Sequence, residues 1–202
     1  TEVSRTGAAA GAAPAAAGAA CGAPVAGVAL GSTSSFRTVD AFSPSPRRTV
    51  CGCARKPVAA HLTEEQRGLV EAWCGHGHRY QAAVGRAGAG KTTTVAACAD
   101  AWAASGYRVM GTAVKGEAAR TLASATGIEC ETVAWYLAHD DPQQLPLDAR
   151  TVLVIDEAST LPDRDLDALM TMAATTGASV RLIGDPAQHG AIAAGGMFRV
   201  LC

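Results

Sequence analysis

Gly85-Arg86-Ala87-Gly88-Ala89-Gly90-Lys91-Thr92 fits the pattern G-x-x-x-x-G-K-[ST] with no departure. The residues before it, 80–84 (Tyr-Gln-Ala-Ala-Val), read as a short buried strand, and residues 92–104 read as a helix. A strand–loop–helix context is what makes the pattern more than a chance match. Glycines let the backbone curl so that its N–H groups converge on phosphate oxygens, and the positive end of the following helix adds to the attraction for an anion. Gly85, Arg86, Ala87, Gly88, Ala89, Gly90, Lys91, Thr92 and Thr93 are therefore the candidate nucleotide-binding residues. Lys91 is expected to reach the β- and γ-phosphates of ATP, and the Thr92 hydroxyl to hold Mg²⁺. Arg86 either touches a phosphate or faces solvent; the pattern leaves both open.

Outward from this loop the chain divides in two. Residues 1–60 are dominated by Ala, Gly, Pro and Ser. Small side chains bury too little apolar surface to offset the entropy of ordering, so this stretch is expected to be a disordered tail or linker. Residues 61–202 alternate strand-like and helix-like segments and form the expected folded domain. Charge divides the same way: residues 1–61 carry six Lys/Arg against two Asp/Glu, and the remainder eleven against sixteen. A mildly acidic body does not advertise nucleic acid through bulk charge, so that partner must be argued from motifs. The seven cysteines follow no disulfide framework, which fits a reducing cytoplasm. No stretch is apolar and long enough to span a membrane.

Several local signals place elements. Thr63 caps a helix with Glu64 and Glu65 in its first turn and Gln66 three residues after the cap. Residues 107–111 read as a strand, 115–124 and 132–138 as helices, 140–148 as a loop, and 151–155 as a continuous apolar strand buried on both sides. Pro162 opens a helix that ends before Gly177, and 179–183 is one more strand. Alternating strands and helices imply an α/β domain with a mainly parallel sheet covered by helices on both faces.

Two further motifs follow the strands. Asp156-Glu157 closes strand 151–155, expected beside the phosphate loop. Asp156 would bind Mg²⁺, and Glu157 would orient and deprotonate an attacking water. Gly184-Asp185-Pro186-Ala187-Gln188 closes the next strand and places Gln188 to touch the γ-phosphate. Each pattern alone is weak; in this order they discriminate strongly.

Phosphate loop, Asp-Glu and Gly-Asp-Pro-x-Gln in succession resemble the first motor domain of a superfamily 1 DNA helicase. Within that superfamily the stretch Ala194-Gly195-Gly196-Met197-Phe198 resembles conjugative relaxase–helicases of the TraA/MobF type, with RecD-like helicases next. The resemblance covers residues 62–202 and implies a RecA-like P-loop NTPase fold. It also implies that Gln66 reads the adenine edge and that Thr112, Ala113, Val114 and Lys115 grip the backbone of single-stranded DNA. A complete motor has a second such domain, whose arginines stabilise the transition state; here the resemblance covers the first alone. The His cluster and tyrosine of a relaxase domain do not appear either. This chain is accordingly expected to be part of a longer protein, to bind nucleotide, and by itself to hydrolyse it feebly and unwind little. The rival readings are a non-catalytic relic or regulatory module that binds nucleotide or DNA, and a different phosphate-loop enzyme such as a kinase.

Two weaker signals remain. Cys51-Gly52-Cys53 and Cys74-Gly75-His76-Gly77-His78 contain zinc-type residues at a spacing that is not a standard ligand set. A buried Cys74 at a helix end followed by a polar turn accounts for the second. Trp73, Trp102 and Trp135 are too scattered for a base-stacking platform and read as core.

Overall fold

The computed structural model describes residues 36–41, 61–139, 141, 144–185, 187 and 196–201. In chain order the elements are β1 (Phe36–Ala41), α1 (Glu64–Gly75), β2 (Tyr80–Gly85), α2 (Lys91–Ala104), β3 (Arg108–Ala113), α3 (Gly116–Thr126), β4 (Glu129–Thr132), α4 (Val133–Leu137), β5 (Thr151–Ile155), a 3₁₀ turn (Ala158–Thr160), α5 (Asp163–Thr176), β6 (Ser179–Gly184) and α6 (Met197–Leu201). The strands form one sheet in the order β1-β2-β6-β5-β3-β4. Five of them, β2 to β6, are mutually parallel, and β1 adds antiparallel to β2 at the edge.

Each strand of the sheet's centre feeds two cores, one per face, because successive side chains point to opposite sides. Leu153, Ile155, Val180 and Leu182 face one side, where Leu166, Leu169 and Ala173 of α5, Tyr136 of α4 and Phe198 of α6 cover them. Val152, Val154 and Ile183 face the other, under α1, α2 and α3 through Leu69, Val70, Trp73, Val95, Cys98, Trp102 and Leu122. Trp73 and Trp102 stack with ring centroids 6.4 Å apart, which accounts for both as core residues. All five residues of β5 are buried, the pattern of a strand covered on both faces. The capping box on α1 is formed in full: Gln66 N–H donates to Thr63 Oγ1 at 3.3 Å, and Thr63 N–H donates to Gln66 Oε1 at 2.9 Å. Gly177 ends α5 at φ 85°, a left-handed turn that glycine adopts without cost.

The structure departs from the sequence reading in two elements. Within the segment read as tail, Phe36–Ala41 is a strand, and its register pairs Phe36 with Gly85 and Ala41 with Tyr80. Phe, Thr and Val in this run are strand-favouring residue types embedded in a tract of small ones. The rest of residues 1–60 lies outside the described residues. Cys130, between the two segments read as helices 115–124 and 132–138, sits in β4, which pairs in parallel with β3. The sheet also inserts β6 between β2 and β5, so Asp156 follows a strand two places from the one that feeds the phosphate loop. At about 4.8 Å per strand the lateral offset is about 10 Å.

Candidate nucleotide site

Parallel strands send all their C-terminal ends to one edge of the sheet, and the candidate residues collect there. The phosphate loop leaves β2 at Gly85 and enters α2 at Lys91, with Gly88 and Gly90 at φ 76° and 75°. At those angles a side chain is strained, and at Gly90 a Cβ would also run into Gln66 Nε2. Ala89 N–H donates to Arg86 O at 3.1 Å, closing a tight turn. Arg86 is exposed, whereas Lys91 and Thr92 are half-buried at the first turn of a 14-residue helix and Thr93 is exposed. Backbone N–H groups at that terminus, with its partial positive charge, suit an anion.

Gln66 is buried against this loop. Its Nε2 donates to Ala89 O at 3.1 Å while its Oε1 accepts from Thr63 N–H. Both polar atoms of the side chain are therefore engaged inside the protein, one in the helix cap and one on the loop.

Asp156 continues β5, its N–H donating to Thr112 O at 2.9 Å, and its Oδ1 accepts from Glu157 N–H at 2.8 Å. Glu157 has φ 52°, the only positive φ at a non-glycine residue among the described residues. Thr160 fixes this bend: its N–H and its hydroxyl both donate to Glu157 O at 2.8 Å. A left-handed glutamate costs about 1–2 kcal/mol, and such conformations concentrate at functional positions.

Asp185, at the end of β6, is buried to 6% exposure. Its Oδ2 accepts from Ala87 N–H of the phosphate loop at 3.2 Å, and its Oδ1 from Ala187 N–H at 3.0 Å. Sequence reasoning gave Asp185 no role of its own, since only the fold brings positions 87 and 185 together. Gln188 lies outside the described residues. Gly184 has no space for a side chain: a Cβ would lie 2.9 Å from Ser159 N and 3.0 Å from the Phe198 ring.

A family model described as "AAA domain" matches residues 61–202. The chain belongs to the AAA domain family. Within it, this AAA domain is similar to a probable conjugal transfer protein TraA of Sinorhizobium fredii, 39% identical over 143 residues, and to a conjugal transfer protein TraA of Agrobacterium fabrum, 40% identical over 141. Those matches cover 70% and 69% of this chain and 13% of each relative. An ATP-dependent RecD2 DNA helicase of Deinococcus radiodurans is 34% identical over 141 residues, covering 66% of this chain and 19% of that protein. The chain thus spans about an eighth of the length of the TraA proteins it matches, and the resemblance to a superfamily 1 motor domain holds.

Other candidate residues of the AAA domain fall less neatly. Thr112 and Ala113 are fully buried at the end of β3, whereas Val114 and Lys115 are exposed just beyond it. Side-chain contact with a nucleic acid is open to the last two alone. Cys74 is buried at the end of α1, and the rings of His76 and His78 lie 5.9 Å apart. No cluster of three or more His, Cys, Asp or Glu is placed to hold a metal ion among the described residues, and Cys51 and Cys53 lie outside them. Trp135 is half-buried, edge-on to Tyr136 at 5.1 Å. No helix among the described residues is long and apolar enough to cross a membrane.

Proposed function

We propose that this chain is the ATP-binding motor domain of a superfamily 1 DNA helicase, coupling ATP hydrolysis to movement along single-stranded DNA in conjugative transfer or repair. The observation that carries the reading is the gathering of the glycine loop, the left-handed Asp156-Glu157 bend and buried Asp185 on one edge of one sheet. The residues suit a nucleotide with Mg²⁺: Gly88 and Gly90 hold left-handed angles that curl the loop, Thr92 lies in the first turn of α2, and Asp156 follows β5 at the same edge of the sheet. Thr92 and Asp156 would hold Mg²⁺, which when bound offsets charge on the phosphate oxygens. Lys91 would pair with the β- and γ-phosphates. Glu157 would orient the attacking water and accept its proton on the carboxylate, and Gln188 would contact the γ-phosphate.

DNA would lie against the β3–α3 connection, held by the exposed Val114 and Lys115, which the buried Thr112 and Ala113 place at the end of β3. A second motor domain, or a relaxase domain in a longer protein, is the proposed protein partner; arginines from the second motor are worth about a thousandfold or more in rate. The cytoplasm is the proposed compartment.

The test is ATP hydrolysis with and without single-stranded DNA, comparing the wild type with Lys91→Ala and Glu157→Gln. DNA-stimulated turnover lost in both variants is the expected result, in the chain alone or after addition of a second motor domain. Nucleotide binding with no turnover under either condition would replace the motor with a non-catalytic binding module.

A further inference from the structure

The phosphate loop is held from two sides. On the α1 side Gln66 Nε2 donates to Ala89 O. On the sheet side Asp185 Oδ2 accepts from Ala87 N–H. The tight turn Arg86–Ala89, closed by its own hydrogen bond, spans both points, with Gly88 inside it and Gly90 just after it at left-handed angles. A loop pinned at Ala87 and Ala89 has little freedom left in its first half. The amides of its second half and of the α2 terminus are then aimed before any ligand arrives.

We infer that Asp185 is a positioning residue for the nucleotide site: its carboxylate fixes the Ala87 amide and so preorganises the phosphate loop. Three features carry this. Asp185 is nearly inaccessible, so its two amide bonds replace water and are not surface decoration. Charged acceptors make roughly the strongest hydrogen bonds of this type. And β6 lies directly beside β2, in register through Val84↔Gly184, so the end of β6 sets the height at which the loop leaves the sheet. Asp185 also accepts from Ala187 N–H, the fourth residue of the Gly-Asp-Pro-x-Gln run. One carboxylate therefore ties the loop that would hold phosphates to the turn that leads to Gln188. The group acts through the backbone of the loop; a carboxylate placed to touch phosphate oxygens itself would repel them.

The inference rests on the nucleotide-binding reading, and the experiment separates the two. The full chain is labelled with ¹⁵N, and amide exchange at Ala87 is measured without nucleotide for the wild type, Asp185→Ala and Asp185→Asn. Affinity for a fluorescent ADP analogue with Mg²⁺ is measured on the same proteins and on Lys91→Ala, with thermal melting to select conditions in which each is folded. Ala87 is expected to exchange about tenfold or more faster in Asp185→Ala than in the wild type. The ADP analogue should bind about tenfold more weakly, with Asp185→Asn between them because one acceptor oxygen survives. Unchanged or tighter binding by a folded Asp185→Ala would overturn the inference while leaving the site reading intact. A wild type that binds no nucleotide would overturn the site reading, and the exchange rates at Ala87 would still decide the strut. If Asp185→Ala does not fold, the Asn variant gives the same comparison: wild-type exchange and wild-type affinity in it would overturn the inference.

Discussion

Glu157 is the residue at which local energetics and proposed chemistry pull apart. Its φ of 52° would suit glycine, and the bend is kept by the two Thr160 bonds to its carbonyl. A catalytic carboxylate aimed by a strained backbone gains orientation at the expense of stability. Replacing the side chain isolates the backbone contribution. Glu157→Gly is expected to be about 1 kcal/mol more stable than Glu157→Ala in urea denaturation, since only glycine tolerates the angle. Equal stabilities would mean the bend is unstrained. Cys130 offers a second residue-scale prediction. Burial pushes its thiol up to about 11, with Asp156 and Glu131 adding in the same direction against the lowering effect of a hydrogen bond to the Gly111 backbone. At pH 8 almost none of it is thiolate, so iodoacetamide should alkylate Cys130 roughly a hundredfold more slowly in the folded chain than in urea, as read by peptide mass mapping. Comparable rates in the two states would contradict the burial argument.

At the scale of elements, Gly111 shows how tightly β3 meets its neighbours. A Cβ there would collide with Cys130 Sγ and lie 2.9 Å from Leu122 Cδ2 and 3.2 Å from Ile128 Cδ1. Gly111→Ala should therefore cost about 1–3 kcal/mol by overpacking. Gly68→Ala in α1, with open space around it, should gain about 0.5–1 kcal/mol from helix propensity. Paired urea melts check both, and a neutral Gly111→Ala would mean that β4 yields easily. The same elements show what sequence could reveal. β5 was legible because five consecutive strand formers, all buried, leave no helical alternative. α1 was legible from its capping box, and the phosphate loop from a signal confined to a dozen residues. β4, with the sequence Glu-Cys-Glu-Thr, was not, because a short polar edge strand owes its existence to the pairing with β3 and carries no pattern of its own. β1 was hidden for a similar reason inside a tract of small residues. The strand order, and with it the distance from Asp156 to the loop and the grip of Asp185 on Ala87, depends on contacts between segments nearly a hundred positions apart.

Across the whole molecule the two cores do different jobs for the site. The core under α1 and α2 backs the phosphate loop, while the opposite core, under α5 and α6, backs the ends of β5 and β6. α6 completes that second face, anchored by Phe198, which is buried against Gly184 and the 3₁₀ turn, and by Asp163 at the start of α5. Asp163 Oδ1 accepts from Gly196 N–H and Met197 N–H, both at 2.8 Å. These two backbone bonds hold its carboxyl below the ordinary value of 3.8. A carboxylate whose folded value is depressed adds stability above its unfolded value, and that contribution disappears as pH falls through the folded one. Docking of α6 should therefore be constant from neutrality down to about pH 4 and weaken below 3.8. An NMR titration would follow the Gly196 and Met197 amides and the Met197 methyl group. Their signals should move together only in that acidic window, and Asp163→Asn should remove the transition while leaving the signals of α1 and α2 unchanged. Signals that move instead near pH 6, or that still titrate in Asp163→Asn, would show that another group holds α6 in place. Because Phe198 packs on Gly184, one residue before Asp185, loosening of α6 should also reach the phosphate loop: the Ala87 amide should lose protection in the same acidic window in the wild type.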